Sequence, residues 1–224
     1  NLVTAGTPLT SIAIAAGNTL EAVLGARLVT RFANGRHALE RAEDVVKFTA
    51  LAAVTSTAVS ATIGVTTLAL GGLADRHTLG PVWLTWWLGD SVGDLVVAPL
   101  ILLWVARPRL GWRLVQALEA SALLRTLIAV ALVVFGGFLP ARAINYPLEY
   151  LCTPIVLWSA YRFGQREAAS AIFGLAVIAI WGTLHGHGPF GRHAPDVSLV
   201  LLQSYVAVTA VMSLVLAALA SERR

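Results

Sequence analysis

Charge is what this chain has least of. Only 12% of its 224 residues are Asp, Glu, Lys or Arg, whereas 57% are apolar and the mean hydropathy is +0.76. A soluble domain carries about 25% charged residues, so the composition excludes one and indicates an integral membrane protein. Cysteine is nearly absent: Cys152 is alone, which excludes an intrachain disulfide or a thiolate metal cluster. Methionine is equally scarce. The chain opens at Asn1 with Met212 as its single methionine, and it is expected to be a piece of a longer protein. It also lacks a Walker loop, an HExxH pair and a recognisable nucleophile–base set, so no catalysis, metal or cofactor is assigned to these residues. With no fixed-period repeat and no long linker, residues 1–219 read as one domain and 220–224 as the start of a linker.

The net charge of +4 and pI near 9.8 do not point to nucleic acid, because the basic residues are scattered among short connections rather than gathered in a patch. Those connections separate seven apolar segments, at 5–30, 48–70, 81–105, 121–139, 148–163, 167–185 and 196–219. Each is long enough, or nearly so, to cross ~30 Å of hydrocarbon. The fifth is the shortest, and Pro154 is expected to distort it. The fold class is therefore an all-α polytopic helical bundle with seven spans. Thirteen of the sixteen basic residues fall at one set of ends, leaving Arg76, Arg142 and Arg192 at the other. The positive-inside rule then places the C-terminus in the cytoplasm and Asn1 outside. An outside start implies an odd number of preceding spans, most simply one, for eight in all.

The third segment, PVWLTWWLGDSVGDLVVAP, is the least ordinary. At 100° per residue Trp83, Trp87, Asp90 and Asp94 share a stripe, and Gly89 and Gly93 on an adjoining face allow a neighbouring helix to approach. A carboxylate at the bilayer centre costs ~2.5–3.5 kcal/mol on insertion scales, and this helix carries two. A polar interior site accounts for that cost; a lipid-facing anchor does not. In the first segment, Asn18 and Glu21 lie near mid-depth, and Gly17, Glu21 and Gly25 repeat every four residues. The two polar residues belong either to the same site or to ordinary interhelical hydrogen bonding. Ser56, Ser60 and Gly64 form a smooth packing face to which no chemistry is assigned, and the connection around Leu39, Ala42, Val45 and Val46 reads as an interfacial amphipathic helix.

Among the outer connections, Arg142 and Tyr146 are placed either to meet an anionic ligand or to contact headgroups. His185 and His187 lack a spaced carboxylate or cysteine to complete a metal site, and their Gly- and Pro-rich loop reads as a turn.

Taken in order, GNTLEAVLGA, SATIGV, WLTWWLGDSVGDLVVAPLIL, YPLEYLCTPIVLWSAYRFG and IAIWGTLHGHGPF resemble the first type of membrane-associated sensor domain, the MASE family of bacterial signalling proteins. The likeness covers nearly the whole chain and is most specific in WLTWWLGD…AP. The family's usual opening helix, with its Trp-Pro-Pro start, is absent, in agreement with the span parity. On matching positions Asn18, Glu21, Trp83, Trp86, Trp87 and Asp90 are the polar and aromatic residues that carry the resemblance. It implies a sensory input domain in the bacterial inner membrane, joined in the same polypeptide to a cytoplasmic histidine kinase or diguanylate cyclase.

The leading expectation is accordingly a transmembrane sensor. A small ligand, not yet named, or a change in the state of the lipid bilayer would act between the first and third segments, and the last helix would carry the shift outward. A proton-coupled or small-solute transporter using the carboxylates is the alternative, and an anchor that also forms a homodimer is a third reading.

Overall fold

A backbone in hydrocarbon has no water to bond with, so it must satisfy its own polar groups as helix. The computed structural model describes residues 7–75, 77–106, 111–138 and 146–223, and every regular element in them is helical. Arg76, Arg107, Arg109, Arg142 and Arg224 of the basic residues used for orientation lie outside the described residues, as do 5–6 and 139 of the first and fourth segments.

Six helices are long and apolar enough to cross a membrane. They are α1 (Pro8–Phe32), a continuous helix over Ala42–Leu70, α4 (Leu79–Ala106), α5 (Leu114–Phe135), α7 (Gln165–Leu184) and α8 (Pro195–Glu222). The Ala42–Leu70 rod has three parts: α2 (Ala42–Phe48), a π-helical stretch (Thr49–Ser56) and α3 (Thr57–Leu70). The amphipathic connection expected before residue 48 is thus the first two turns of the span itself. Its Val45 is fully buried rather than interfacial.

The fifth segment departs from the expected seven spans. It forms a 3-10 turn (Leu148–Leu151) and a ten-residue helix, α6 (Thr153–Arg162), which is ~15 Å long and half of what the hydrocarbon requires. Pro154 does not distort that helix. It sits in the first turn, where a missing N–H costs nothing, and so starts the helix. The chain nevertheless passes from one end of the bundle to the other between α5 and α7. Phe135 at the end of α5 packs against Gly182 near the end of α7, while Arg162 at the end of α6 makes two 2.8 Å bonds to Glu119 near the start of α5. The 3-10 turn faces the protein on one side and leaves Tyr150 and Leu151 exposed on the other. Glu149 is 8% exposed and Cys152 is fully buried, and the Tyr205 hydroxyl donates to the Glu149 carbonyl at 2.7 Å. Phe135, Phe190 and Tyr205 close around this point with centroids 5.9–6.3 Å apart.

Two faces can therefore be distinguished. The C-terminal face carries the ends of α1, α4, α6 and α8 and the starts of α2, α5 and α7; the far face carries the opposite ends. On the C-terminal face the backbone N–H of Ala42 donates to Glu222 Oε1 at 2.9 Å, and the Gln165 amide donates to the Glu40 carbonyl at 3.2 Å. The last turn of α8 is thereby tied to the first turn of α2. Gly164, at φ +116°, makes the sharp reversal from α6 into α7, a backbone conformation that residues with a Cβ rarely adopt.

Helix α7 buries one face along its length, largely with alanine. A Cβ at Gly182 would land on the Phe135 carbonyl oxygen, whereas one at Gly174 would meet nothing within 4 Å. Gly182→Ala is expected to cost about 1–3 kcal/mol through overpacking and to lower the thermal unfolding midpoint in detergent, with Gly174→Ala leaving it unchanged. Equal effects from the two would contradict the packing described.

Candidate functional site

The polar residues of the first three spans meet at mid-depth, with the Ala42–Leu70 rod as their platform. Gly17 and Gly25 let α1 lie against that rod: added Cβ atoms would be 3.0 Å from Ile63 Cγ2 and 2.9 Å from Ser56 Oγ. Glu21 lies between them on the same face, as its four-residue spacing predicts. One turn away, Ser60 Oγ donates to Asn18 Oδ1 at 2.8 Å. From the other side α4 supplies Asp90, and Glu21, Ser60 and Asp90 interact directly across the junction of the three helices. Asp90 and Asp94 both act electrostatically on Glu21. Oδ2 of Asp90 is buried without a hydrogen-bond partner.

The tryptophans fasten α4 to the platform. Trp83 Nε1 donates to Thr62 Oγ1 and Trp87 Nε1 to the Val54 carbonyl, each at 3.0 Å. Their rings stack on each other, with centroids 5.6 Å apart and planes 17° from parallel. Trp86 turns the other way and lies over Gly64, where a Cβ would come within 2.5 Å of the indole. It also hydrogen-bonds Asp90. The Val54 carbonyl belongs to the π-helical stretch, and π turns loosen the regular i→i−4 ladder, often at functional sites. Thr57 and Ser91 continue the contact, with hydroxyls 3.2 Å apart.

Helices α1 and α4 both rest on the rod, and a cleft of about 410 Å³ remains between them. Glu21 and Asp94 line it at mid-depth and Arg36 at the C-terminal face. Chemically this is a cavity with acids in its middle and a cation at one mouth. It can accept a hydrogen-bonding or cationic group among otherwise apolar walls.

The structure therefore brings together Asn18, Glu21, Trp86, Asp90 and Asp94, while Trp83 and Trp87 brace the same junction. Tyr146 is not part of it: it is 66% exposed at the far face. Arg142 lies outside the described residues. The expected glycine contact is half realised. Gly89 approaches Gln203 of α8, whose Nε2 would be 3.2 Å from an added Cβ, but Gly93 has open space beside it. His185 and His187 stack loosely, 6.5 Å apart, and no group of three or more metal-capable side chains exists among the described residues.

Sequence reasoning passed over Ser60, assigned to packing alone, and the π-helical stretch. Ser60 was findable, because an Asn18 at mid-depth needs a partner there and Ser60 is the hydroxyl at matching depth in the antiparallel neighbour. Nothing in TALAAVTS distinguishes a π-helix from an α-helix. Glu149 was also missed, since its five-residue distance from Pro154 gives no hint of burial.

A protein-family model, MASE1, matches residues 1–224. The chain belongs to the MASE1 family. No curated protein and no solved structure matches it. MASE1 is a membrane sensor domain of signalling proteins, a sensory input domain rather than a catalytic one. Together with six apolar helices, membership makes this a multi-pass membrane protein linked to an output domain.

The Asn18–Ser60 bond is a direct side-chain link between α1 and α3 in this MASE1 chain. A double-mutant cycle with Asn18→Ala and Ser60→Ala is expected to give a coupling of about 0.5–1.5 kcal/mol in a reversible unfolding assay. Additive single effects would mean that the bond contributes nothing.

Proposed function

We propose that this domain detects a small ligand, or a change in bilayer state, through the polar junction of α1, α3 and α4, and passes the result to a cytoplasmic kinase or diguanylate cyclase in the same polypeptide. One observation carries this reading. Glu21, Ser60 and Asp90 meet beside an open cleft at mid-depth, where a polar group is tolerated only if it serves packing or function. Asp90 Oδ2, buried without a hydrogen-bond partner from the described residues, is the atom on which a ligand's donor or a proton would act.

The asymmetry of basic residues supports an inner-membrane topology with the C-terminal face in the cytoplasm. Helix α8, which continues as helix to Glu222, is then the route to the output, and residues 220–224 begin the linker. The Ala42–Glu222 bond holds its last turn against the same rod that carries Ser60. A displacement of the rod can thus reach the exit of α8 through this bond and the packing of α2 on α8. Helix α1 packs mainly on the rod and leaves Leu9, Ile12 and Leu20 exposed, a face open to lipid or to a further helix; the eighth helix of the proposal rests on the span parity. Arg142 and Tyr146 remain proposed ligand contacts on the outer side, and a homodimer is the proposed assembly.

A ligand shifts such an equilibrium only by its differential affinity for two states. Asp90→Asn keeps the shape and removes the charge, so it is expected to insert normally and to change basal output of the full-length protein by about fivefold or more. Unchanged signalling would remove the site from this assignment. The alternative, a proton-coupled or small-solute transporter, requires proton or solute flux in liposomes containing the protein; none is expected. The coding region beyond Arg224 is expected to continue through a helical linker into a kinase or cyclase domain. A stop codon within a few residues would overturn the assignment to sensing.

A further inference from the structure

Two buried acids, Asp44 and Glu149, lie outside the intramembrane junction; the Asn34 side-chain amide contacts Asp44, and Glu149 is the one beside a cavity. It stands at the broken passage between α5 and α6, is 8% exposed, and its Oε2 is buried without a hydrogen-bond partner. Its backbone carbonyl is bonded to Tyr205, so the residue is fixed in place while one of its two carboxylate oxygens, Oε2, has no hydrogen-bond partner. A buried carboxylate without a partner is strongly unfavourable unless a cation or a proton completes it.

Beside it lies a cavity of about 450 Å³ at the far face, lined by Tyr146, Glu149, Phe190, Arg192, His193 and Leu201. The cavity is built rather than incidental. The Ser198 hydroxyl donates to the carbonyls of Phe190 at 2.6 Å and His193 at 3.2 Å, which pins the loop that forms one wall. Phe190 packs on Phe135 and Tyr205, which fixes the floor. The walls thus offer an acid among aromatic rings, which suits an ammonium group, and a guanidinium and an imidazole, which suit an anion.

We propose that this cavity binds a small zwitterion, its ammonium group on Glu149 and its anionic group toward Arg192 and His193. The ligand chemistry is shared by soluble compounds and by the headgroup of an aminophospholipid, and the test separates them. The site contains none of the residues of the α1–α3–α4 junction, so its fate and that of the junction are decided independently.

The probe is O-phosphoethanolamine, titrated calorimetrically into the whole chain held in phosphatidylglycerol nanodiscs. Saturable binding is expected, with ethanolamine alone and inorganic phosphate alone each about tenfold weaker or worse, because each loses one charge-assisted bond. Glu149→Gln is expected to weaken the probe by the same factor of about ten. Repeating the titration with phosphatidylethanolamine in the discs identifies the source: a loss of probe affinity assigns the site to the lipid headgroup, and unchanged affinity to a soluble zwitterion. Absence of saturable binding, phosphate alone matching the probe, or a folded Glu149→Gln that binds as well would each overturn the proposal. Should Glu149→Gln not fold, the analogue series on the unaltered protein decides alone.

Discussion

Every polar group of a membrane-embedded bundle must find its partner within the protein, because the solvent around it offers none. Backbone helix satisfies most of that demand here, and the hydroxyls follow by bonding back to carbonyls one turn behind: Ser56 to Ala52, Thr57 to Ala53 and Ser213 to Thr209, each at 2.7 Å. The groups that cannot be satisfied locally decide how the helices are arranged. Asn18 requires Ser60, the Trp83 and Trp87 indoles require Thr62 and Val54, and the carbonyl exposed by the break at Glu149 requires Tyr205. With a uniform apolar surface around them, these few directional contacts fix which helix sits beside which, and in what register.

The same constraint separates the two halves of the molecule. Around α7 the contacts are those of a packed core, with alanine and glycine admitting neighbours to van der Waals distance and Thr183 Oγ1 alone on this helix buried without a hydrogen-bond partner among the described residues. Around the rod of α2, the π-helical stretch and α3, contact is polar and incomplete, with a cleft beside Glu21 and Asp94 and an Asp90 oxygen unbonded. Close apolar packing thus lies around α7, and the polar side-chain network lies around the rod. That division is what a sensor needs: a fixed frame, and a part whose best arrangement depends on what it is offered.

Much of this was legible from the sequence because bilayer insertion imposes long-range regularity on composition. Length and apolarity placed six spans, and helical periodicity put Glu21 between two close-packing glycines and Asp90 on the stripe of Trp83 and Trp87. The fifth segment was misjudged for a physical reason. Its apolar residues serve burial within protein as well as they would serve burial in lipid, so hydropathy cannot tell a half-length helix from a crossing one. Pro154 carried the information, since proline in a first turn starts a helix, but the same residue further along would bend one. Ser60 was legible in type and not in partner. The π-helical stretch was not legible at all, because no preference of Thr, Ala, Leu or Val separates a π turn from an α turn.

Helix α4 is where these threads join. Its aspartates face the rod and α1, and its glycines face α7 and α8, so one rigid element borders both the polar junction and the exit helix. Along that second border a void of about 350 Å³ persists beside Gly93, and the Gln203 side-chain oxygen of α8 is buried there without a partner. Close packing resists small displacements because interiors are as dense as crystals, and a void removes that resistance on one side. On the sensing role proposed above, α4 can therefore move relative to α8 near the depth of its aspartates while the Ala42–Glu222 bond keeps α8 in step with the rod. On that proposal a change of state at Asp90 would alter the relation between α4 and α8 without breaking the core, a motion of small amplitude.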